Sequence, residues 1–235
     1  MSASSPTLPL NLLLAGLTLD EQAWTLEQCE LVELVTGDIL CESGEPYAHA
    51  YFPLKGVIAL VTIMGRYRPL EMGLIGNEGM LGATLALGVE TAPMRAVVQG
   101  SGTAWRITNK RFKQELLTDP GLRLTIHRYL YVLLTQFAQS AACTHFHEIE
   151  PRLARWLLMT HDRAHADHFY LTHEVLATML GVRRSGITIA AGALQQRGLI
   201  HYVRGDIRIL DRPGLEVAAC GCYVSLIADY AEQFA

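Results

Sequence analysis

A chain of 235 residues is long enough for one or two folded domains, and half of its residues are hydrophobic against 18% charged, which excludes an intrinsically disordered protein. A net charge of −4 argues against a nucleic-acid partner only if it is evenly spread; here residues 1–150 carry −5, residues 151–212 carry +4 from nine arginines against five acids, and residues 213–235 carry −3. Five cysteines, at 29, 41, 143, 220 and 222, are odd in number and scattered, which argues against a secreted disulfide framework.

Residues 1–7 read as a loose tail. The apolar stretch LPLNLLLAGLTL resembles a signal peptide, but no Lys or Arg precedes it, the first being Lys55, and it is too short to span a bilayer. A cytoplasmic protein with no membrane partner is the expectation. Thr18 followed by Glu21 forms a capping box that starts a short helix through Trp24 to about Cys29. From Leu31 the period changes to strands, with glycines at 37, 44, 56, 65, 73, 76, 79, 82, 88, 100 and 102 separating runs such as AYF, VIALVTI, PLEMGLI, RAVVQG and GTAWRI. Short strands at this spacing predict an antiparallel roll or jelly roll. A cupin-like enzyme shares that architecture but needs clustered His and carboxylate ligands, and His49 is the one histidine between Leu31 and Ile107. No catalytic residue is assigned.

Thr108 caps a second short helix, NKRFKQEL, and a long helix begins at Asp119-Pro120, proline suiting a first turn. Ile126, Leu130, Leu133 and Phe137 step by four, three and four, flanked by Leu122, Tyr129 and Gln136. So wide an apolar surface has more to bury than one domain face. The sharper reading is a parallel seam with a second copy through Ile126, Leu130, Leu133 and Phe137; the plainer one is packing on the roll alone. A linker falls near Thr144 to Glu150.

The stretch from Thr172 to Leu210 is the most specific. Thr172 is a good N-cap, Val175, Leu176, Met179 and Leu180 form an apolar stripe, and Gly181 ends the helix. A second helix runs from about Arg184 to Arg197 with Ile187, Ala190, Ala191 and Leu194 buried, and Gly198 stops it. Two β-branched runs, 199–203 and 207–210, flank Arg204-Gly205-Asp206, a hairpin signature. With small Ala177 where two helices cross, this is a helix-turn-helix followed by a wing. Taking Ile187 as inward, Ser185, Ile189, Gly192 and Gln196 point outward, with Thr188 alongside. Arg183, Arg184, Ser185, Thr188 and Ile189 are the expected base-proximal residues, and Thr172, His173, Arg204 and Arg208 the expected phosphate contacts.

The segments HEIEPRLARWLL, LTHEVLATMLGV and GLI…RGDIRILDRPGLE resemble the cyclic-AMP receptor/fumarate-nitrate regulator (Crp/Fnr) family of bacterial transcription factors. The resemblance implies an α+β fold: an N-terminal antiparallel β-roll like a cyclic-nucleotide-binding domain over residues 1–118, a long dimerisation helix and hinge over 119–147, and a C-terminal winged helix-turn-helix over 148–235. It implies a homodimer on double-stranded DNA, and RNA polymerase as a partner if the protein activates. A small-molecule-binding roll whose helical domain makes only protein contacts is the competing reading, separable by salt-dependent DNA binding.

The family's cyclic-nucleotide pocket uses a Gly-Glu pair for the ribose and a downstream Arg for the phosphate. In GMLGATLALGVETAPMRAV, Gly82 is followed by Ala83, so the ribose carboxylate is missing; Arg95 matches the phosphate arginine, and Glu78 substitutes only in a shifted register. Cyclic AMP is therefore not the expected effector. The family's iron-sulfur sensors need an N-terminal cysteine cluster, and Cys29 and Cys41 are not clustered. Many members carry Glu and Arg where Ser185 and Ile189 stand, so their half-site does not carry over. Cys143-Thr-His145-Phe-His147 and His161, His165, His168 and His173 come closer to a metal motif, but His145 and His147, two apart, diverge if the segment is helical, the four later histidines straddle a helix end and a loop, and Cys220-Gly-Cys222 supplies only two ligands, so neither a metal nor a cofactor is expected.

Overall fold

The computed structural model describes residues 11–63, 65 and 69–234; the tail assigned to residues 1–7 lies outside them. Two short helices open the described chain, α1 (Leu12–Ala15) and α2 (Leu19–Glu27). The predicted capping box is present: the Thr18 amide donates to Glu21 Oε2 at 2.8 Å, and the Glu21 amide donates to Thr18 Oγ1 at 3.4 Å. Sequence reasoning missed α1 because four apolar residues show no period. Its buried cap, Asn11, accepts from the Leu13 amide and donates to the carbonyls of Pro53 and Gly79.

Strands β1 (Glu30–Leu34), β2 (Ile39–Cys41), β3 (His49–Thr62), β4 (Leu70–Ile75) and β5 (Arg95–Thr108) form one antiparallel sheet, ordered β1-β5-β3-β4 with β2 also on β5. A 3-10 helix, Ala83–Leu87, lies between β4 and β5. The two 14-residue strands β3 and β5 bend through bulges between Pro53 and Ile58. Gly102 is required there, since a Cβ on it overlaps the Lys55 carbonyl.

The run VIALV in β3 is apolar at consecutive positions because both of its faces are covered. Ile58 and Leu60 enter the roll core with Phe52, Phe112 and Ile126. Val57, Ala59 and Val61 enter a second core with Leu74, Trp156, Leu176, Ile187 and Leu194. One strand thus serves as floor for the roll and as platform for the C-terminal region.

Helix α3 (Asn109–Thr118), capped by Thr108, leads into the 27-residue α4 (Pro120–Phe146), capped by Asp119. Residues predicted as a dimer seam face the roll instead. Ile126 is fully buried and Leu133 nearly so, and Leu130 and Phe137 pack half-buried against the same core. At about 100° per residue, Leu124 lies roughly 200° from Ile126, while Tyr131 and Leu134 each follow a seam residue by one, so the open stripe runs from the flank of the buried one to the face behind it. Leu124, Tyr131 and Leu134 are 53%, 54% and 65% exposed.

After a break at His147 and Glu148 come α5 (Ile149–Ala164), β6 (His168–Tyr170), α6 (His173–Leu180), α7 (Arg184–Gln196), β7 (Ile200–Val203), β8 (Asp206–Ile209), α8 (Arg212–Ala218) and α9 (Cys222–Phe234). Gly181 and Gly198 both adopt positive φ, as the predicted helix ends require. Helix α9 returns to α4, where Tyr230 touches both cores.

Polar groups also cross between β4 and α5. The Trp156 indole donates to Glu71 Oε1 at 2.9 Å, while Glu71 Oε2 is buried without a partner among the described residues. Burial pushes the Glu71 carboxyl up to about 8, against opposing contributions from Trp156, Arg155 and Arg163. An acid whose pKa rises on folding binds an extra proton in the native state, so stability falls as pH climbs from about 5 to 8. Urea titrations across that window should show a loss on the order of 3 kcal/mol, and Glu71→Gln should flatten the slope while keeping the Trp156 bond. An unchanged slope in that variant places the titration elsewhere.

Candidate nucleic-acid interface and roll pocket

Helices α6 and α7 are held as a helix-turn-helix by local chemistry. Thr172 Oγ1 accepts from the Val175 amide at 3.3 Å, and Arg152 reaches from α5 to bond the Leu180 carbonyl at 2.6 Å, satisfying an end of α6. Arg183 caps α7 by position alone, without a side-chain bond. The outward face of α7 presents Arg184, Ser185, Thr188 and Ile189, all exposed, with Arg183 just before them; Ile189 is 74% exposed. An isoleucine so open on a helix whose other face is sealed has no packing role in this chain.

The wing is β7 and β8, joined at Arg204 (φ 52°) and Gly205 (φ 92°), the pair of left-handed residues that a tight hairpin requires. Arg204 and Arg208 are exposed on it. Strand β6, absent from the sequence reading, pairs with β8 and makes the wing three-stranded.

His173 is a correction. Its ring stacks on Tyr202 of β7 with centroids 4.4 Å apart, Nδ1 lies 3.0 Å from Thr188 Oγ1, and Nε2 is buried. Burial and the Arg184 guanidinium hold its pKa below the usual histidine range. An imidazole held by its Nδ1 and its ring face, with Nε2 buried and without a partner among the described residues, does not offer a charge to phosphate; it ties α6, α7 and wing together. Thr188 is correspondingly engaged, since its hydroxyl also donates to the Arg184 carbonyl at 3.1 Å. Tyr202, the ring that completes this tie, carried no signal in the sequence.

The predicted effector residues separate. Gly82 and Ala83 line a cavity of about 460 Å³ between the roll, the 3-10 helix and α4. Arg95 is spent on Glu42 at 2.7 Å and lies outside that lining, and Glu78 lies at the seam with α5, 2.7 Å from Arg163. The lining includes Leu60, Met80, Leu81, Met94, Leu130 and Phe137, and none of its described residues is charged. The polar side chains of its lining are the Thr84 hydroxyl and the phenols of Tyr47 and Tyr131; burial raises the Tyr47 phenol to about 12 and keeps it neutral.

One cluster escaped the sequence. Cys143, His147, Cys220 and Cys222 converge, with all four donor atoms within 4.8 Å of one another. The segment Cys143-Thr-His145-Phe-His147 is half of the signal and Cys220-Gly-Cys222 the other half; on the sequence the two histidines diverge if helical and the cysteine pair alone is too few, so neither half makes a site by itself. Four donors correct the expectation of too few.

The Crp-like helix-turn-helix domain family matches residues 151–218, and the cyclic nucleotide-binding domain family matches residues 19–119. No curated protein sequence matches the chain. Solved structures share the fold: FixK2 from Bradyrhizobium japonicum is 13% identical with a TM-score of 0.69, covering 82% of this chain and 98% of that one. A CRP/FNR-family transcriptional regulator from Thermus thermophilus is 23% identical with a TM-score of 0.66, covering 81% and 98%. The c-di-GMP responsive global regulator CLP from Xanthomonas campestris is 17% identical with a TM-score of 0.65, covering 81% and 98%. Among the described residues, no helix is long and apolar enough to cross a membrane. Two domain families in this order, together spanning most of the chain on a shared fold, show that it belongs to the Crp/Fnr family of DNA-binding transcription regulators.

Proposed function

We propose that the protein is a homodimeric, sequence-specific regulator whose roll takes an apolar effector rather than a cyclic nucleotide. The uncharged cavity beside α4 carries this reading. A cyclic phosphate needs a cation and a ribose needs a carboxylate; Arg95 and Glu78 are committed elsewhere and Ala83 supplies no acceptor. A volume of about 460 Å³ suits a small, largely hydrophobic molecule. Tyr131 and Leu134 line the cavity mouth and also lie on the exposed stripe of α4. A second copy seated on that stripe therefore closes the cavity, and occupancy reaches the DNA through the helix pair.

The neutral fluorophore N-phenylnaphthylamine should bind saturably, once per chain, and apolar competitors should displace it. Millimolar cyclic AMP should neither displace it nor alter DNA affinity. Submicromolar binding of cyclic AMP overturns the assignment.

On the DNA side, Ile189 cannot hydrogen-bond a guanine edge but packs well against a thymine methyl in the major groove. Arg183 and Arg184 flank it for guanine or phosphate, and Thr172, Arg204 and Arg208 lie where backbone contacts fall. In a duplex selected from a random pool, replacing the contacted thymine by uracil should weaken binding by about 1 kcal/mol, and Ile189→Ala should abolish the difference. Equal affinity for thymine and uracil at every half-site position removes Ile189 from the interface.

A further inference from the structure

We propose that Cys143, His147, Cys220 and Cys222 form a tetrahedral zinc(II) site that clasps the end of α4 to the loop between α8 and α9. The geometry is that of a single ion. Cys143 Sγ and Cys220 Sγ are 3.6 Å apart, as are Cys222 Sγ and His147 Nδ1. A tetrahedron with zinc–sulfur bonds of about 2.3 Å and a zinc–nitrogen bond of about 2.0–2.1 Å has edges of roughly 3.5–3.8 Å. A disulfide instead needs sulfurs about 2.05 Å apart. Donors all within 4.8 Å of one another enclose one ion and leave no room for a cluster.

The backbone delivers each ligand independently of the others. Cys143 and His147 sit one turn apart at the end of α4, with the His147 amide donating to the Cys143 carbonyl at 3.1 Å. The Cys220 amide donates to the Pro151 carbonyl at 3.3 Å, which pins the α8–α9 loop beside the start of α5. Cys222 opens α9, where a helix N-terminus favours a thiolate. Three cysteines are buried while His147 is exposed, so the site is sheltered but has an entry path.

Charge supports the same ion. Three thiolates and a neutral imidazole around a divalent cation sum to a single negative charge. Arg155, buried in α5, is close enough to act on Cys143, and its Nε lacks a hydrogen-bond partner among the described residues. A buried guanidinium within electrostatic reach of Cys143 offsets the negative charge that such a site carries. Thiolate-rich tetrahedral donors with one imidazole select zinc over magnesium, calcium or manganese.

The clasp spans the break at His147 and Glu148, joining the helix that carries the exposed stripe to the segment that follows the wing. Metal binding is independent of the DNA-binding reading, and it is tested without DNA.

Protein purified under reducing conditions should contain zinc at about one ion per chain by elemental mass spectrometry. Cobalt(II) exchanged into it should give the visible bands of a tetrahedral thiolate site. His147→Asn, an exposed change that leaves the core intact, and Cys222→Ser should each lower zinc affinity by roughly a hundredfold or more, beyond what loss of an outer partner costs. A strong chelator should lower the melting temperature of the parent protein and leave that of Cys222→Ser unmoved. The proposal fails if reduced protein takes up no stoichiometric zinc on titration, or if cobalt gives only an octahedral spectrum. It fails equally if both variants bind as the parent does, or if rapid alkylation of freshly lysed cells finds Cys143 and Cys220 joined as a disulfide.

Discussion

Leu134→Asp is expected to yield a folded monomer and to lower affinity for a two-half-site duplex by about 10²–10⁴-fold. Leu134 is 65% exposed and shares the open face of α4 with Leu124 and Tyr131, spaced seven and three residues apart. In a parallel two-fold pairing each residue of this stripe meets its counterpart, so the substitution places two like charges in a dry seam. Each monomer keeps its helix-turn-helix, but the second half-site no longer binds as an intramolecular event. Light scattering reads the first effect and fluorescence anisotropy the second. Leu133→Asp, one residue away, points into the roll core and should unfold the domain rather than separate copies. A Leu134→Asp protein that stays dimeric with undiminished DNA affinity places the interface elsewhere.

Arg163→Ala should cost about 3–5 kcal/mol, the range for breaking a buried pair by removing one partner. Arg163 is 4% exposed, its Nη1 donates to the Met159 carbonyl at 2.9 Å, and its Nε lies 2.7 Å from Glu78 Oε1. That Nε is short but poorly aligned for a hydrogen bond, so the contact is an ion pair more than a directional bond. Truncation strands the Glu78 carboxylate, whose side chain is 15% exposed, between roll and α5. The double change Glu78→Gln with Arg163→Met should recover much of the loss, because no charge is then left unpaired. Urea denaturation checks both, and a cost below about 1 kcal/mol, the range of an exposed pair, sinks the argument.

Local chemistry was the legible part of this chain. Thr18, Thr108, Asp119 and Thr172 all mark helix starts where they stand. Gly181, Gly198 and the Arg204-Gly205 turn mark ends and reversals, because positive φ selects so few residues. What failed was orientation. On α4 the stripes through Ile126 and Leu134 are both apolar, and periodicity does not say which one the roll claims. Convergence failed for a related reason: Cys143 and Cys220 lie 77 residues apart, and only the return of the chain after the wing unites them. Glu78, read as a candidate for the pocket, and His173, read as a phosphate ligand, were both taken by partners that no short window contains.

The two-faced strand β3 also sets a timetable. Val57, Ala59 and Val61 leave the ribosome long before Trp156, Leu194 and Leu226, which cover them or complete their core. At about 5–20 residues per second the nascent chain carries that bare apolar strip for roughly ten to thirty seconds. The roll is born with an unfinished outer wall, and that strip stays open to stray apolar contacts until the C-terminal region arrives to cover it.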